Sequence, residues 1–121
     1  MRIPKRILER RRSVRIQEIL PFTIGHRGFE MEAVTVNIST SGALCLVEKD
    51  IPMMTKLDIV LSVPVQRGVS LKRTRVRIKG VIVRKEKDEA SDKFFVAIFF
   101  SSIRPKDQVL LKKFIERRLK K

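Results

Sequence analysis

The sequence predicts a mainly β domain, a small antiparallel barrel or sandwich, followed by one C-terminal helix. Three observations point there. Stretches whose side chains alternate with a period of two recur between residues 16 and 100, as half-buried strands require. Short polar or glycine-bearing links of hairpin length separate them. Beyond residue 104 the apolar spacing changes to that of a helix. At 121 residues, 43% hydrophobic and 34% charged, the chain fits one domain with a packed core rather than a disordered polymer.

The first strand is expected over Ile16 to Ile24, with Pro21 marking an edge or a bulge. Gly25-His26-Arg27-Gly28 reads as a hairpin loop. Residues 29 to 37 and 43 to 48 form the next two strands, joined by the polar Ser39-Thr40-Ser41-Gly42. In residues 57 to 63, Leu57, Ile59, Leu61 and Val63 face one way and Asp58, Val60 and Ser62 the other. Gln66-Arg67-Gly68 marks a loop. From 73 to 83, Arg73, Arg75, Arg77 and Lys79 share a face opposite Thr74, Val76, Ile78, Gly80 and Ile82. The polar run 86 to 93 links this strand to Phe94–Phe100, apolar throughout and therefore expected to be covered on both sides. Pro105 suits the first turn of a helix, where its missing N–H costs nothing. Asp107 then favours the dipole, and Leu110, Leu111, Phe114 and Ile115 recur on one side, giving an amphipathic helix over 105 to 119.

Charge is concentrated at the ends. The net charge is +15, and residues 1–15 and 104–121 carry +6 each, so the termini hold 12 of the 15. An anionic partner is expected, and electrostatic approach is dominated by the ends. Residues 1–15 read as a flexible basic segment, and residues 16–121 as the folded domain. A single cysteine, Cys45, excludes an intramolecular disulfide and a cysteine-based zinc cluster, and a reducing compartment is expected. No apolar stretch is long enough for a transmembrane helix, and no apolar run follows the basic N-terminus as in a signal peptide. The expected location is the cytoplasm.

Catalysis is not expected. Cys45 lies in the apolar run Ala43–Val47 and reads as a buried thiol, and His26 reads as a solvated loop side chain. Glu30 and Glu32 share a strand face and read as a solvated edge. Neither a glycine-rich phosphate loop nor metal-ligand spacing is present.

Two motifs stand out. Arg10-Arg11-Arg12-Ser13-Val14-Arg15 contains an Arg-x-x-x-Arg, Arg11 to Arg15. Guanidinium forks bond phosphate in parallel pairs, and their flat faces stack on purines. The pattern alone is weak, since it occurs four times here against roughly two by chance. Asn37-Ile38-Ser39-Thr40-Ser41-Gly42 is more specific: chance supplies an [Asp/Asn]-x-Ser-x-x-Gly about 0.02 times at this composition. It falls at a strand-to-strand turn, where small polar side chains bond their own backbone and still offer groups to a base edge. Glycine there permits a positive φ or close approach of a ligand.

Together, with 22 residues from Arg15 to Asn37 and a strand pattern ended by a helix, these motifs make the chain resemble the PilZ domain family, over Glu9 to Ile115. A Gly-x-x-x-Arg, Gly80 to Arg84, and the strand Phe95–Phe100 belong to the resemblance. It implies a six-stranded antiparallel β-barrel, the PilZ-like split barrel, with a C-terminal helix. It implies cyclic di-GMP as ligand, with no cofactor and no metal. Arg11 and Arg15 would sit on a loop that wraps over the ligand, binding phosphates and stacking on guanine. Asn37 and Ser39 would meet a guanine edge, Gly42 would shape the turn, and Arg10 and Arg12 would flank the pair. Position 37 is Asn where Asp is also common in the family, so it accepts through one oxygen only. Position 97 is Ala where glycine is frequent, which bears on strand packing.

The expected function is that of a cyclic di-GMP receptor that orders its arginine segment on binding and signals to a protein effector. One alternative is a basic nucleic-acid-binding barrel, favoured by the Arg73/Arg75/Arg77/Lys79 stripe and opposed by the lack of Trp and Tyr. The other is a ligand-free PilZ-fold adaptor, which retention of both motifs opposes.

Overall fold

A computed structural model describes residues 16–26 and 28–119. Its elements are β1 (Pro21–His26), β2 (Phe29–Ile38), β3 (Gly42–Val47), β4 (Lys56–Arg67), β5 (Ser70–Lys87), β6 (Phe94–Ile103) and α1 (Pro105–Leu119). The strands close into an antiparallel barrel in the order β1-β2-β3-β6-β5-β4. Of the two architectures the alternation allows, the barrel is the one formed. Sequence neighbours make four of the seams. The β3–β6 and β1–β4 pairs close the ring, and the chain crosses one end of it between β3 and β4, where Ile51 is buried in the core.

Alternation sets the core. Leu57, Ile59, Leu61 and Val63 of β4, Val76, Ile78 and Ile82 of β5, and Val96, Ile98 and Phe100 of β6 all point inward. Gly80 belongs to this set for lack of room. A Cβ there would lie 2.6 Å from Ile98 Cγ2 and 3.2 Å from Ile59 Cδ1. β6 is covered on both sides only in its first half. Phe95 is buried on the outer face with Leu44, against Val36, Leu46 and Ala97, whereas Phe99 is 50% exposed.

The first strand differs from expectation. Ile16 forms an isolated bridge with Ile38, residues 17–20 are not strand, and β1 begins at Pro21. The intervening segment is held by Thr35, whose Oγ1 accepts from the Leu20 N–H at 2.9 Å and donates to the Glu18 carbonyl at 2.6 Å. The Thr35 N–H also donates to the Leu20 carbonyl at 3.0 Å, so one residue of β2 holds the segment in place of a strand ladder. Gly25 and His26 lie within β1, paired with Glu30 and Phe29, and so belong to the strand rather than to the expected loop, of which Arg27 lies outside the described residues. His26 is half-buried at the strand end, with Nδ1 3.2 Å from the Lys56 carbonyl oxygen.

β4 and β5 overshoot the barrel. From the Ser62–Arg75 pair to the tip pair Arg67–Ser70 they bond only to each other among the described residues. The turn is Gly68-Val69, with Gly68 at φ 61°. α1 lies against β4 and β5 and shares the core with Val63 and Val76 through Leu111, Phe114 and Ile115. Its first turn is anchored by Asp107, 2% exposed, which accepts from the Arg77 N–H at 3.2 Å and from Arg104 Nε and Nη2 at 3.2 and 3.1 Å. Arg77 lies just before the point where β6 leaves β5, so the carboxylate takes a donor that the sheet no longer pairs.

Candidate functional site

The Asn37–Gly42 motif occupies the end of β2, a short turn and the start of β3. A β-bulge between Thr35 and Asn37 sets its orientation. The extra residue lets both Thr35 and Ile38 turn inward although they are three positions apart. Asn37 therefore points to the outer face, in register with the outward Leu44, and is 3% exposed.

Ser39 is fully buried and closes the turn on itself. Its N–H donates to the Gly42 carbonyl at 2.9 Å, and its Oγ reaches the same oxygen at 3.3 Å. Oγ also accepts from the Ser41 N–H at 3.2 Å and lies 3.2 Å from Ser41 Oγ. The motif's serines thus hold their own backbone, as expected of small polar residues at such a turn. Gly42 departs from the expected reason for glycine. It is not a positive-φ residue, and a Cβ would lie 2.4 Å from the Ile98 carbonyl oxygen. The close approach is that of the neighbouring strand β6.

Arg10, Arg11, Arg12 and Arg15 lie outside the described residues. Their attachment point does not. Ile16 exchanges two backbone hydrogen bonds with Ile38, at 2.9 and 3.0 Å, in the middle of the motif. Arg15 is the next residue before Ile16 in the chain. Sequence reasoning missed this bridge, because a lone antiparallel contact leaves no periodic trace. It also missed Phe99, the outward residue of β6 that pairs with Gly42. The unbroken apolar run hid which of its residues face outward.

The basic stripe is as expected. Arg73, Arg75, Arg77 and Lys79 are exposed on the outside of β5. Arg73 bonds Ser62 Oγ and the Ser62 carbonyl at 2.8 and 3.1 Å. Arg75, Arg77, Lys49 and Lys93 line a groove of about 1060 Å³, together with Glu30, Glu32 and Glu48. This groove contains no residue of the motif, and its mixed charges do not suit a polyanion. Among the described residues, no group of three or more His, Cys, Asp or Glu is placed to hold a metal ion, and no helix is long and apolar enough to cross a membrane.

The family model for the PilZ domain matches residues 9–117. The chain belongs to the PilZ domain family. No curated protein sequence matches it significantly. Among solved structures, this PilZ chain is similar to the Bacillus subtilis inhibitor of motility MotI/DgrA, at 22% identity and a TM-score of 0.78, covering 92% of this chain and 52% of that one. It is similar to the PilZ domain of YcgR from Escherichia coli, solved with c-di-GMP, at 16% identity and a TM-score of 0.58, covering 93% of this chain and 95% of that one. The PlzA protein of Borreliella burgdorferi, in complex with c-di-GMP, matches at 11% identity and a TM-score of 0.56, over 88% of this chain and 51% of that one. The chain therefore spans about half the length of MotI and of PlzA. At these identities the likeness carries the fold, a PilZ barrel with its C-terminal helix.

Proposed function

We propose that this PilZ domain is a receptor for cyclic di-GMP that signals to a protein partner through its N-terminal arginine segment. The observation that carries the reading is the Ile16–Ile38 bridge. It ties the segment bearing Arg11 and Arg15 to the middle of the Asn37–Gly42 motif, so one ligand can touch both. YcgR and PlzA, which share the fold, are structures with c-di-GMP.

The division of labour follows from the side chains. Arg11 and Arg15 bind the phosphates through charge-assisted bonds and stack on a base. Arg10 and Arg12 add flanking charge. The Asn37 amide meets a guanine edge, Ser39 shapes the turn by bonding its own backbone, and Gly42 keeps β3 close to β6. A dianionic ligand neutralises mutually repelling arginines and orders the segment, presenting a new surface to the partner. The chemistry is recognition, with no bond made or broken.

Isothermal titration calorimetry at physiological salt tests this. Cyclic di-GMP binds the wild type saturably, and GMP and a short DNA duplex do not. Arg11→Ala/Arg15→Ala weakens binding by about 100-fold or more, since each charge-assisted contact contributes about 1.5–3 kcal/mol. Binding by the duplex without cyclic di-GMP moves the assignment to a nucleic-acid-binding barrel. Binding by neither moves it to a ligand-free adaptor.

A further inference from the structure

We infer that Phe99 is a stacking platform for a second nucleobase of the bound ligand, an assignment that rests on the cyclic-dinucleotide reading above. Among the described side chains Phe99 is the most exposed phenylalanine, at 50%, and the chain has no Trp or Tyr. Single exposed apolar side chains are common; the position of this one is what matters.

Phe99 pairs with Gly42 across the β3–β6 seam. The Phe100 N–H donates to the Ser41 carbonyl at 2.9 Å, which makes Ser41–Phe100 the hydrogen-bonded pair. Gly42–Phe99 is then the adjacent non-hydrogen-bonded pair, the kind in which facing side chains come closest. Gly42 has no side chain to offer, and none can be added there. On its other side Phe99 pairs with the half-buried Val81, and along β6 the next outward residue is Ala97. A large flat ring therefore stands among small neighbours, beside the motif's glycine, half open to solvent.

The register also says which base it meets. Asn37 pairs with Leu44, and Leu44 pairs with Ala97. Asn37 and Phe99 are thus two strands apart, about 9–10 Å sideways, with a further two-residue step along β6. Stacked rings have centroids about 4.5–7 Å apart. That offset places Phe99 beside, rather than beneath, a base whose edge is held at Asn37, and so suits a second base. A ligand with two linked purines, or a stacked pair of such ligands, supplies the second one; a mononucleotide does not.

A fluorescence titration reads this directly, because Phe99→Trp introduces the only indole in the protein. Cyclic di-GMP is expected to quench and shift the indole emission of that variant on saturation, and GMP at the same concentration to leave it unchanged. By calorimetry Phe99→Ala and Phe99→Leu weaken cyclic di-GMP binding by about 5- to 100-fold, whereas Phe99→Trp retains it. Circular dichroism melts check that each variant is folded. Unchanged indole emission at calorimetrically confirmed saturation, or Ala and Leu variants within about twofold of wild type, overturns the stacking role and leaves the receptor reading intact. No binding by the wild type removes the receptor reading, and this inference with it.

Discussion

Gly42 and Gly80 occupy positions where a methyl group has nowhere to go, yet the obstacles differ. At Gly42 the obstacle is the Ile98 carbonyl oxygen, fixed in the β3–β6 ladder. At Gly80 the nearest obstacle is a side-chain methyl, Ile98 Cγ2, with Ile59 Cδ1 and the Phe99 carbonyl oxygen farther off at 3.2 Å. Gly80→Ala is expected to cost about 1–2 kcal/mol, within the range for overpacked cores, and Gly42→Ala more, about 3 kcal/mol. Urea unfolding of the two variants checks the order, and equal values contradict the distinction. The motif itself was legible because its residues are contiguous and their types are few. What stayed hidden was the reason for each type. Nothing in the letters shows that Ser39 is turned inward onto its own turn, or that Gly42 serves a neighbouring strand 56 positions away at Ile98. Phe99 was hidden for a related reason: in a run where every residue is apolar, period two carries no information about faces.

At the scale of elements, Asp107 does for α1 what a cap residue does for an isolated helix, with its acceptor spent on the sheet. It is buried, and its partners are the backbone of β5 and the Arg104 guanidinium. Asp107→Ala leaves the Arg77 N–H without its acceptor and is expected to cost about 2 kcal/mol, lowering the midpoint of thermal unfolding by roughly 5–15 °C. Asp107→Asn keeps an acceptor and recovers part of the loss. Hydrogen exchange at the Arg77 amide distinguishes local from general damage, because that amide should be the first to lose protection. The helix bounds were readable from Pro105, the apolar spacing and the basic last turn, and α1 indeed runs Pro105–Leu119. The start of β1 was not. Apolar residues recur from Ile16 through Ile24, and only the tertiary bonds of Thr35 divide them into a bridge, a linker and a strand. β4 and β5 were underestimated because their outer halves carry polar and charged side chains that look like loop. A two-stranded ribbon with one solvated face tolerates them.

For the whole molecule, the distribution of charge matters more than its sum. With most of the net +15 in residues 1–15 and 104–121, capture of a dianion should be fast at low salt and slow as ionic strength rises through the range where the Debye length falls below about 10 Å. Stopped-flow association of cyclic di-GMP should show this, with the dissociation rate far less affected. A salt-independent association rate contradicts the electrostatic role of the ends.

The overshooting β4–β5 ribbon has its own consequence. Closure pairs the strands around the barrel, but from Pro64 to Arg67 and from Ser70 to Arg75 the ribbon has backbone donors and acceptors that no third strand pairs among the described residues. Pro64 removes one donor, and Arg67, Lys72, Arg73 and Arg75 make two ribbons repel, with no acidic residue in this stretch to offset them. The protein's protection against polymerising is thus a property of the buffer as much as of the fold. Concentrated salt, or neutralisation of those four cations, should turn the ribbon into a seam between copies, with Val69 and Leu71 exposed at its tip as the first point of adhesion.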